Sequence, residues 1–239
     1  MRNEIRLDHY LVQTKAIESR TKAQQLIKDS LVSVDGKTVT KPSFKVDDSH
    51  SVTIAEHKSY VSRAAYKLLD FIEQLDLDLE GKTALDIGSS TGGFTQVLLE
   101  HGISRVVCVD VGHDQLHHTL RNDARVEVHE GCDIRKYETS SSFDIVVSDV
   151  AFISLHYILD DVDRLAAKDI ILLFKPQFEV GREVKRDKNG VVVDKKAIEN
   201  GMIRFEDACK LKGWNLVKKA PSTLTGKDGN LEYCYYFTK

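Results

Sequence analysis

Apolar residues recur along this chain in two rhythms. From residue 83 onward, short apolar runs at 83–87, 105–110, 126–129, 144–150 and 169–174 alternate with other stretches. In those stretches, at 62–75, 93–100 and 195–212, apolar positions return every three or four residues. Two more strand-like runs follow at 215–218 and 232–238. Runs of that length read as strands and the longer spacing as helices. The pattern therefore predicts an α/β fold, an open and mostly parallel sheet covered by helices on both faces. Ligands of such sheets lie at the carboxyl ends of the strands. The stretch 182–194 is too polar for a core and reads as an exposed loop.

The first sixty residues follow another plan. Leu7, Tyr10 and Leu11 have helical spacing, and Ser19 is placed to cap a second helix carrying Ala23, Leu26 and Ile27. Val32-Ser33-Val34 and Thr38-Val39-Thr40 then flank Asp35-Gly36-Lys37, an Asp-Gly hairpin turn. Val52 and Ile54 suggest one more strand. The two plans meet near residues 56–62, which predicts a small α+β domain at 1–58 and a larger α/β domain at 59–239.

Length agrees with that division, since 239 residues suffice for one full α/β domain plus a small one. No stretch approaches the roughly 18 apolar residues of a membrane span, and the polar N-terminus lacks a signal peptide's apolar core. Cys108, Cys132, Cys209 and Cys234 show no Cys-x-x-Cys spacing. They read as scattered reduced thiols, with no zinc or other metal site and a cytoplasmic address. A formal net charge of −3 argues against indiscriminate nucleic-acid binding, but the charge is uneven. Between residues 15 and 45, the seven cations Lys15, Arg20, Lys22, Lys28, Lys37, Lys41 and Lys45 face only Glu18, Asp29 and Asp35, a local excess of four.

Candidate chemistry collects at the predicted strand ends. Leu85-Asp86-Ile87-Gly88-Ser89-Ser90-Thr91-Gly92-Gly93-Phe94 reads as a strand, a turn that a ligand can approach closely, and a helix start. Its Asp-x-Gly-x-x-x-Gly-Gly spacing differs from the Gly-x-Gly-x-x-Gly that sets a pyrophosphate on a helix N-terminus. An acid ahead of the turn suits a cationic, phosphate-free ligand, and S-adenosylmethionine, with its sulfonium and ammonium, is one. The second strand ends in Asp110, where a carboxylate can accept both hydroxyls of a ribose. The third leads to Asp133, placed to contact an adenine amino group. Three acids at successive strand ends, with the glycine turn, describe a nucleoside site better than three helix caps do. The motif looks like the first motif of class I methyltransferases. That likeness implies a Rossmann-like, seven-stranded sheet whose cofactor pocket is formed by residues 86 and 88–94 with Asp110, Val111 and Asp133.

The fourth strand bears on which atom receives the methyl group. Its end reads Ser148-Asp149-Val150-Ala151-Phe152. It lacks the Pro-Pro-aromatic string of base-amine methylases, and the chain has no Pro-Cys of the kind that supplies the nucleophile in cytosine C5 methylases. The chain offers instead Lys67 on the helix before the sheet, Asp149, Lys175 ending the fifth strand, and Glu232 opening the last. Two lysines and two acids suit a weakly acidic alcohol such as a ribose 2′-hydroxyl. An ammonium beside the oxygen stabilises developing alkoxide charge, a lysine neutralised by its surroundings accepts the proton, and the acids orient both. The set resembles the Lys-Asp-Lys-Glu tetrad of the FtsJ-like ribose 2′-O-methyltransferases.

Further strings are similar to the TlyA family. They are Asp110-Val111-Gly112-x-x-Gln115-Leu116, Asp149-Val150-x-Phe152-Ile153-Ser154-Leu155, Phe174-Lys175-Pro176-Gln177-Phe178-Glu179-Val180-Gly181 and Gly229-Asn230-x-Glu232-Tyr233. At the front, Arg6-Leu7-Asp8, Ser19-Arg20-x-x-Ala23-x-x-Leu26-Ile27 and Val34-Asp35-Gly36-Lys37 resemble the S4 RNA-binding domain over residues 4–54. Ser30 stands where S4 domains usually carry glycine. The resemblance implies an S-adenosylmethionine-dependent enzyme that methylates cytidine 2′-hydroxyls in ribosomal RNA or ribosomal subunits.

On that reading the basic cluster anchors RNA phosphates through Arg6, Arg20, Lys22 and Lys28. Arg63 near the linker and the loop residues Arg182, Lys185 and Arg186 grip the flanking backbone, and Phe152 either stacks on a flipped base or packs. The same family is often labelled haemolysin, so membrane lysis is a competing activity, though no strong amphipathic cationic helix supports it. A non-catalytic RNA-binding assembly factor is a third reading, against which the intact tetrad speaks. His117 and His118 read as solvated side chains of a surface helix, and Trp214, Tyr233, Tyr235 and Tyr236 as core or sheet residues.

Overall fold

In a computed structural model of the protein, the described residues are 4–15, 17–28, 31–54 and 60–239. Ser30 and residues 56–59 of the expected boundary lie outside them. The chain forms two units, Met1–Ser59 and Tyr60–Lys239.

In the first unit β1 (Ile5–Arg6) runs directly into α1 (Leu7–Thr14), and α2 (Arg20–Lys28) follows. Ser19 does cap α2, its Oγ accepting the Lys22 N–H at 3.2 Å. β2 (Val32–Val34) and β3 (Lys37–Thr38) are joined through Asp35 and Gly36, whose φ angles of 50° and 75° are the left-handed pair that two-residue hairpins favour. β4 (Lys45–Val46) pairs with β1, and β5 (Val52–Ile54) pairs with β2. Leu7 and Leu11 of α1, Ala23 and Ile27 of α2, and valines of the strands close a small core.

The second unit runs α3 (Ala64–Ile72), β6 (Thr83–Ile87), α4 (Gly93–Glu100), β7 (Arg105–Asp110), α5 (His118–Arg121) and β8 (Val126–Glu130). It continues with β9 (Phe143–Ser148), α6 (Leu159–Leu165), β10 (Ala166–Phe174), α7 (Pro176–Glu179), α8 (Lys195–Leu211), β11 (Asn215–Pro221) and β12 (Tyr233–Thr238). The sheet has seven strands in the order β11-β12-β10-β9-β6-β7-β8, parallel from β10 to β8 and antiparallel at β12 and β11. Side chains alternate between its faces. Leu85 and Ile87 of β6 pack with α6 and α8, whereas Ala84 packs with α3 and α4. Trp214, Tyr235 and Tyr236 are buried in these layers, and Tyr233 is half-buried.

The order of strands positions the site. After β6 the chain fills one side of the sheet with β7 and β8, then returns to lay β9 and β10 on the other. A crevice opens at such a reversal, between the carboxyl ends of β6 and β9. β9 stops at Ser148, two residues short of its apolar run. The loop at 182–194 is mostly exposed, yet Val192 is buried and its N–H donates to Asn230 Oδ1 at 3.0 Å, which fastens the loop at one point. Among the described residues no helix is long and apolar enough to cross a membrane, and no cluster of His, Cys, Asp and Glu is arranged to hold a metal ion.

Candidate active site

A cavity of about 960 Å³ occupies the crevice. It is lined by the turn after β6, the ends of β7, β9 and β10, and the start of α3. Of the cofactor residues expected from the motif, Asp86, Gly88, Ser89, Ser90, Thr91, Gly93, Phe94, Asp110, Val111 and Asp133 line it. Gly88 has φ +78°, and a Cβ there would come within 3.0–3.3 Å of Val150, so only glycine lets the turn lie this close to the end of β9. Gly92 does not itself line the cavity. A Cβ at Gly92 would meet the Leu120 and Leu116 side chains at 2.3 and 2.8 Å, so this glycine serves packing.

The three expected acids differ in their surroundings. Asp86 is fully buried, its Oδ2 accepting the Thr95 hydroxyl at 2.6 Å while Oδ1 has no hydrogen-bond partner. Burial, reinforced by the nearby charges of Asp149 and Asp110, raises its carboxyl to about 7. Asp110 is held by two backbone N–H groups, Ser90 at 2.8 Å on Oδ2 and Gly112 at 2.7 Å on Oδ1. Each oxygen keeps a lone pair for a further donor. Asp133 accepts hydrogen bonds from the Arg135 side chain on both oxygens, which lowers its carboxyl, and also caps the short turn at Ile134–Lys136. Apolar walls from Ile87, Val109, Val111, Ile134 and Val150 face these acids. A pocket with an orphaned buried carboxylate, a fixed one at a strand end and an apolar slot fits the ammonium, ribose and adenine of S-adenosylmethionine.

The four tetrad residues come together as two ion pairs. Lys175 Nζ lies 2.5 Å from Asp149 Oδ1, without a well-directed hydrogen bond to that oxygen, and donates to the Asp149 carbonyl at 3.3 Å. Lys67 Nζ donates to Glu232 Oε2 at 2.6 Å. Sheet register explains the meeting. Asp149 and Lys175 follow the parallel neighbours β9 and β10, and the Phe174–Tyr233 pairing sets Glu232 level with Lys175. Lys67, Asp149 and Lys175 line the cavity, while Glu232 does not. Its Oε1 would lie only 2.5 Å from a Cβ at Gly226, so that glycine makes room for it.

The expected RNA-binding residues divide more sharply. Phe152 is 93% exposed at the cavity with φ +66°, a backbone conformation that an aromatic residue adopts only at a cost, and its ring lies 5.5 Å from that of Phe178. Arg63 also lines the cavity, and Lys28, Arg182 and Lys185 are exposed. Arg186 is not a free cation, since its guanidinium donates to the carbonyls of Gln177, Gly181, Arg182 and Val184 and so holds its own loop in shape. Arg6 and Arg20 are likewise not free cations, because both bind the buried Asp8. Lys22 is half-buried near the start of α2. His117 caps α5, and His118 opens it. The sequence reading missed Thr95, Arg135, Thr225 and Lys227. Only Thr95 carried a signal, as a polar residue one turn into the helix behind Asp86.

Three comparisons with known proteins bear on this geometry. Residues 60–239 match the model of the FtsJ-like methyltransferases, and residues 5–52 match the S4 domain. The chain is 42% identical to a Campylobacter jejuni protein named 23S rRNA (cytidine-2′-O)-methyltransferase TlyA, over 92% of this chain and 94% of that one. It is 37% identical to the Mycobacterium tuberculosis 16S/23S rRNA (cytidine-2′-O)-methyltransferase TlyA, over 98% and 89%. A solved structure from Streptococcus thermophilus that goes under a hemolysin name superposes with a TM-score of 0.73 at 31% identity, covering all of this chain and 90% of its own.

The buried Asp86 makes stability depend on pH. Folded, its carboxyl keeps a proton up to about 7, whereas unfolded it releases it near the ordinary value of 3.8. Between those values the folded chain binds more protons than the unfolded one, so this group's contribution to stability falls as pH rises from about 4 to about 7. Asp86→Asn should match the natural protein near pH 4.5 and melt higher at pH 8, by at least about 4 °C. Thermal unfolding at both pH values checks this, and equal midpoints at pH 8 would contradict it.

Proposed function

The chain belongs to the FtsJ-like methyltransferases and, among them, to the TlyA family, and from that membership we propose that it methylates the ribose 2′-hydroxyl of cytidine in ribosomal RNA. The methyl donor is S-adenosylmethionine, which supplies an electrophilic methyl group on a sulfonium. Asp110 takes the ribose diol, Asp133 and the apolar slot take the adenine, and Asp86 lies toward the methionyl end. The observation that carries the ribose assignment is the convergence of Lys175–Asp149 and Lys67–Glu232 at the carboxyl edge of β9 and β10, beside that pocket. Lys175 is the group nearest the target oxygen, where it stabilises the negative charge that grows as the hydroxyl proton passes to water. The oxygen takes the methyl carbon, and the sulfonium leaves as a neutral thioether. Asp149 and Lys67 align it, and Glu232 fixes Lys67. The exposed ring of Phe152 offers a stacking surface for a nucleotide swung out of its helix. The first unit anchors folded RNA, with Lys22 and Lys28 among its cations, while Arg63, Arg182 and Lys185 hold the flanking backbone. With ribosomal RNA as its substrate, the protein works in the cytoplasm.

Asp110→Ala should weaken binding of S-adenosylmethionine roughly 10- to 150-fold, the loss expected for a charge-assisted hydrogen-bonding group. Calorimetric titration measures this directly, and unchanged affinity would remove Asp110 from the ribose.

Incubating the protein with bacterial ribosomal subunits and methyl-labelled S-adenosylmethionine, then digesting to nucleosides, should place label in 2′-O-methylcytidine. Lys175→Ala should slow single-turnover transfer about 10²–10⁴-fold while leaving cofactor affinity nearly unchanged. Label on a base would contradict the mechanism, and label on another nucleoside's ribose would contradict only the substrate.

A further inference from the structure

Asp8 lies in the first turn of α1 with no solvent exposure, surrounded by donors from α2 and from the adjoining strand β1. Arg6 donates to both of its oxygens, through Nε to Oδ1 at 2.9 Å and Nη2 to Oδ2 at 3.0 Å. Arg20 Nε and Gln24 Nε2, both on α2, donate to Oδ2 at 3.0 and 2.7 Å. The Arg6 hydrogen bond above all holds the Asp8 carboxyl far below its ordinary range, so it stays charged. One carboxylate between two guanidinium groups leaves a net positive charge. The arginine side chains remain 38% and 49% exposed, and Asp8 occupies only two of the five donors of Arg6 and one of those of Arg20.

The neighbouring strand extends this surface. β4 pairs with β1 so that Lys45 stands directly opposite Arg6, and residues so paired point to the same face. Two like charges in that position destabilise a sheet, and an anion between them removes the penalty. The segment before β4 is tied to the same spot, because Leu7 N–H donates to the Phe44 carbonyl at 2.7 Å and Asp8 N–H to that of Pro42 at 3.2 Å.

We propose that Asp8 is a positioning residue for RNA, presetting Arg6 and Arg20 as a phosphate clamp that Lys45 completes. This rests on the reading that the first unit binds RNA, and it assigns that binding to one surface. A free arginine loses rotamer freedom when it docks on a phosphate, whereas one already held by a buried carboxylate has little left to lose. The idea makes an unusual demand. Asp8→Asn removes a negative charge from a nucleic-acid-binding surface, so charge counting alone requires tighter binding, while loss of the preset clamp requires weaker binding.

Filter binding of radiolabelled bacterial 23S ribosomal RNA to the full chain, from about 50 to about 200 mM salt, separates these. Asp8→Asn should bind about 10-fold more weakly at the low end, the loss expected when charged hydrogen bonds go. Its slope against log salt should be shallower by about 0.7–0.9 for each phosphate that the clamp no longer neutralises. Arg20→Lys keeps the charge but not the fork, so it should show a comparable loss, and the double variant should be no worse than Asp8→Asn alone. Arg20→Lys alters a half-exposed side chain and decides the matter even if Asp8→Asn unfolds, as circular dichroism would reveal. Unchanged or tighter binding by folded Asp8→Asn, wild-type binding by Arg20→Lys, or losses that simply add would overturn the proposal. Absence of salt-dependent binding by the natural chain would overturn the RNA reading of the first unit as well, which the variants alone do not touch.

Discussion

Burying an ion pair strips water from both charges, and the attraction regained in the interior often fails to repay that loss. Lys175–Asp149 and Lys67–Glu232 are such pairs, with side chains between 3% and 13% exposed. Their placement depends on rigid supports. Asp149 and Lys175 stand at the ends of adjacent parallel strands, Glu232 is set by pairing of β12 with β10, and Lys67 rides on α3 packed against that face. The layers of the second unit therefore do more than close a core. They keep four charges converged where, as isolated side chains, they would separate and hydrate.

The same economy runs through the acid-lined side of the cleft. Asp110 is pinned by backbone N–H groups of the glycine turn and of the turn after β7, Asp133 by Arg135, and Asp86 by a single hydroxyl. Asp86, with an unmatched oxygen and two acidic neighbours, is the least satisfied of the three and the one whose carboxyl is raised. A cationic ligand relieves that imbalance, which fits a pocket selecting a charged methyl donor. Asp8 in the first unit is the opposite case, a buried carboxylate matched by four donated hydrogen bonds, and its effect is to hold its partners still.

Much of this is legible in the sequence itself. The runs at 83–87 and 105–110 are β6 and β7 residue for residue, because each has a mainly apolar, β-prone interior and ends at a turn. Asp86, Asp110, Asp149 and Lys175 stand out in the sequence because they lie at or just beyond strand ends, where α/β sheets place chemistry, whereas Lys67 on α3 stands out only through the resemblance. What stayed hidden depended on neighbours far along the chain. The resemblance groups Lys67 and Glu232 in one set, but they are 165 residues apart and no local pattern says that these two pair with each other. Arg186 reads as a free cation in a polar loop, yet four carbonyls claim it. Arg6 and Arg20 belong to a basic cluster by composition, and only the burial of Asp8 reveals that they are held. Gly92 reads as part of a ligand turn, and the space it leaves for Leu116 and Leu120 shows only in the packing.

The central claim is that Lys175 and Asp149 act as one unit on the target hydroxyl. Single-turnover methyl transfer by the natural protein, Lys175→Ala, Asp149→Ala and the double variant tests it most directly. The account predicts strong coupling, with the double variant about as slow as the slower single one, because either loss already disables the pair. Losses in the barrier that simply add would mean the two side chains act independently, and would contradict it.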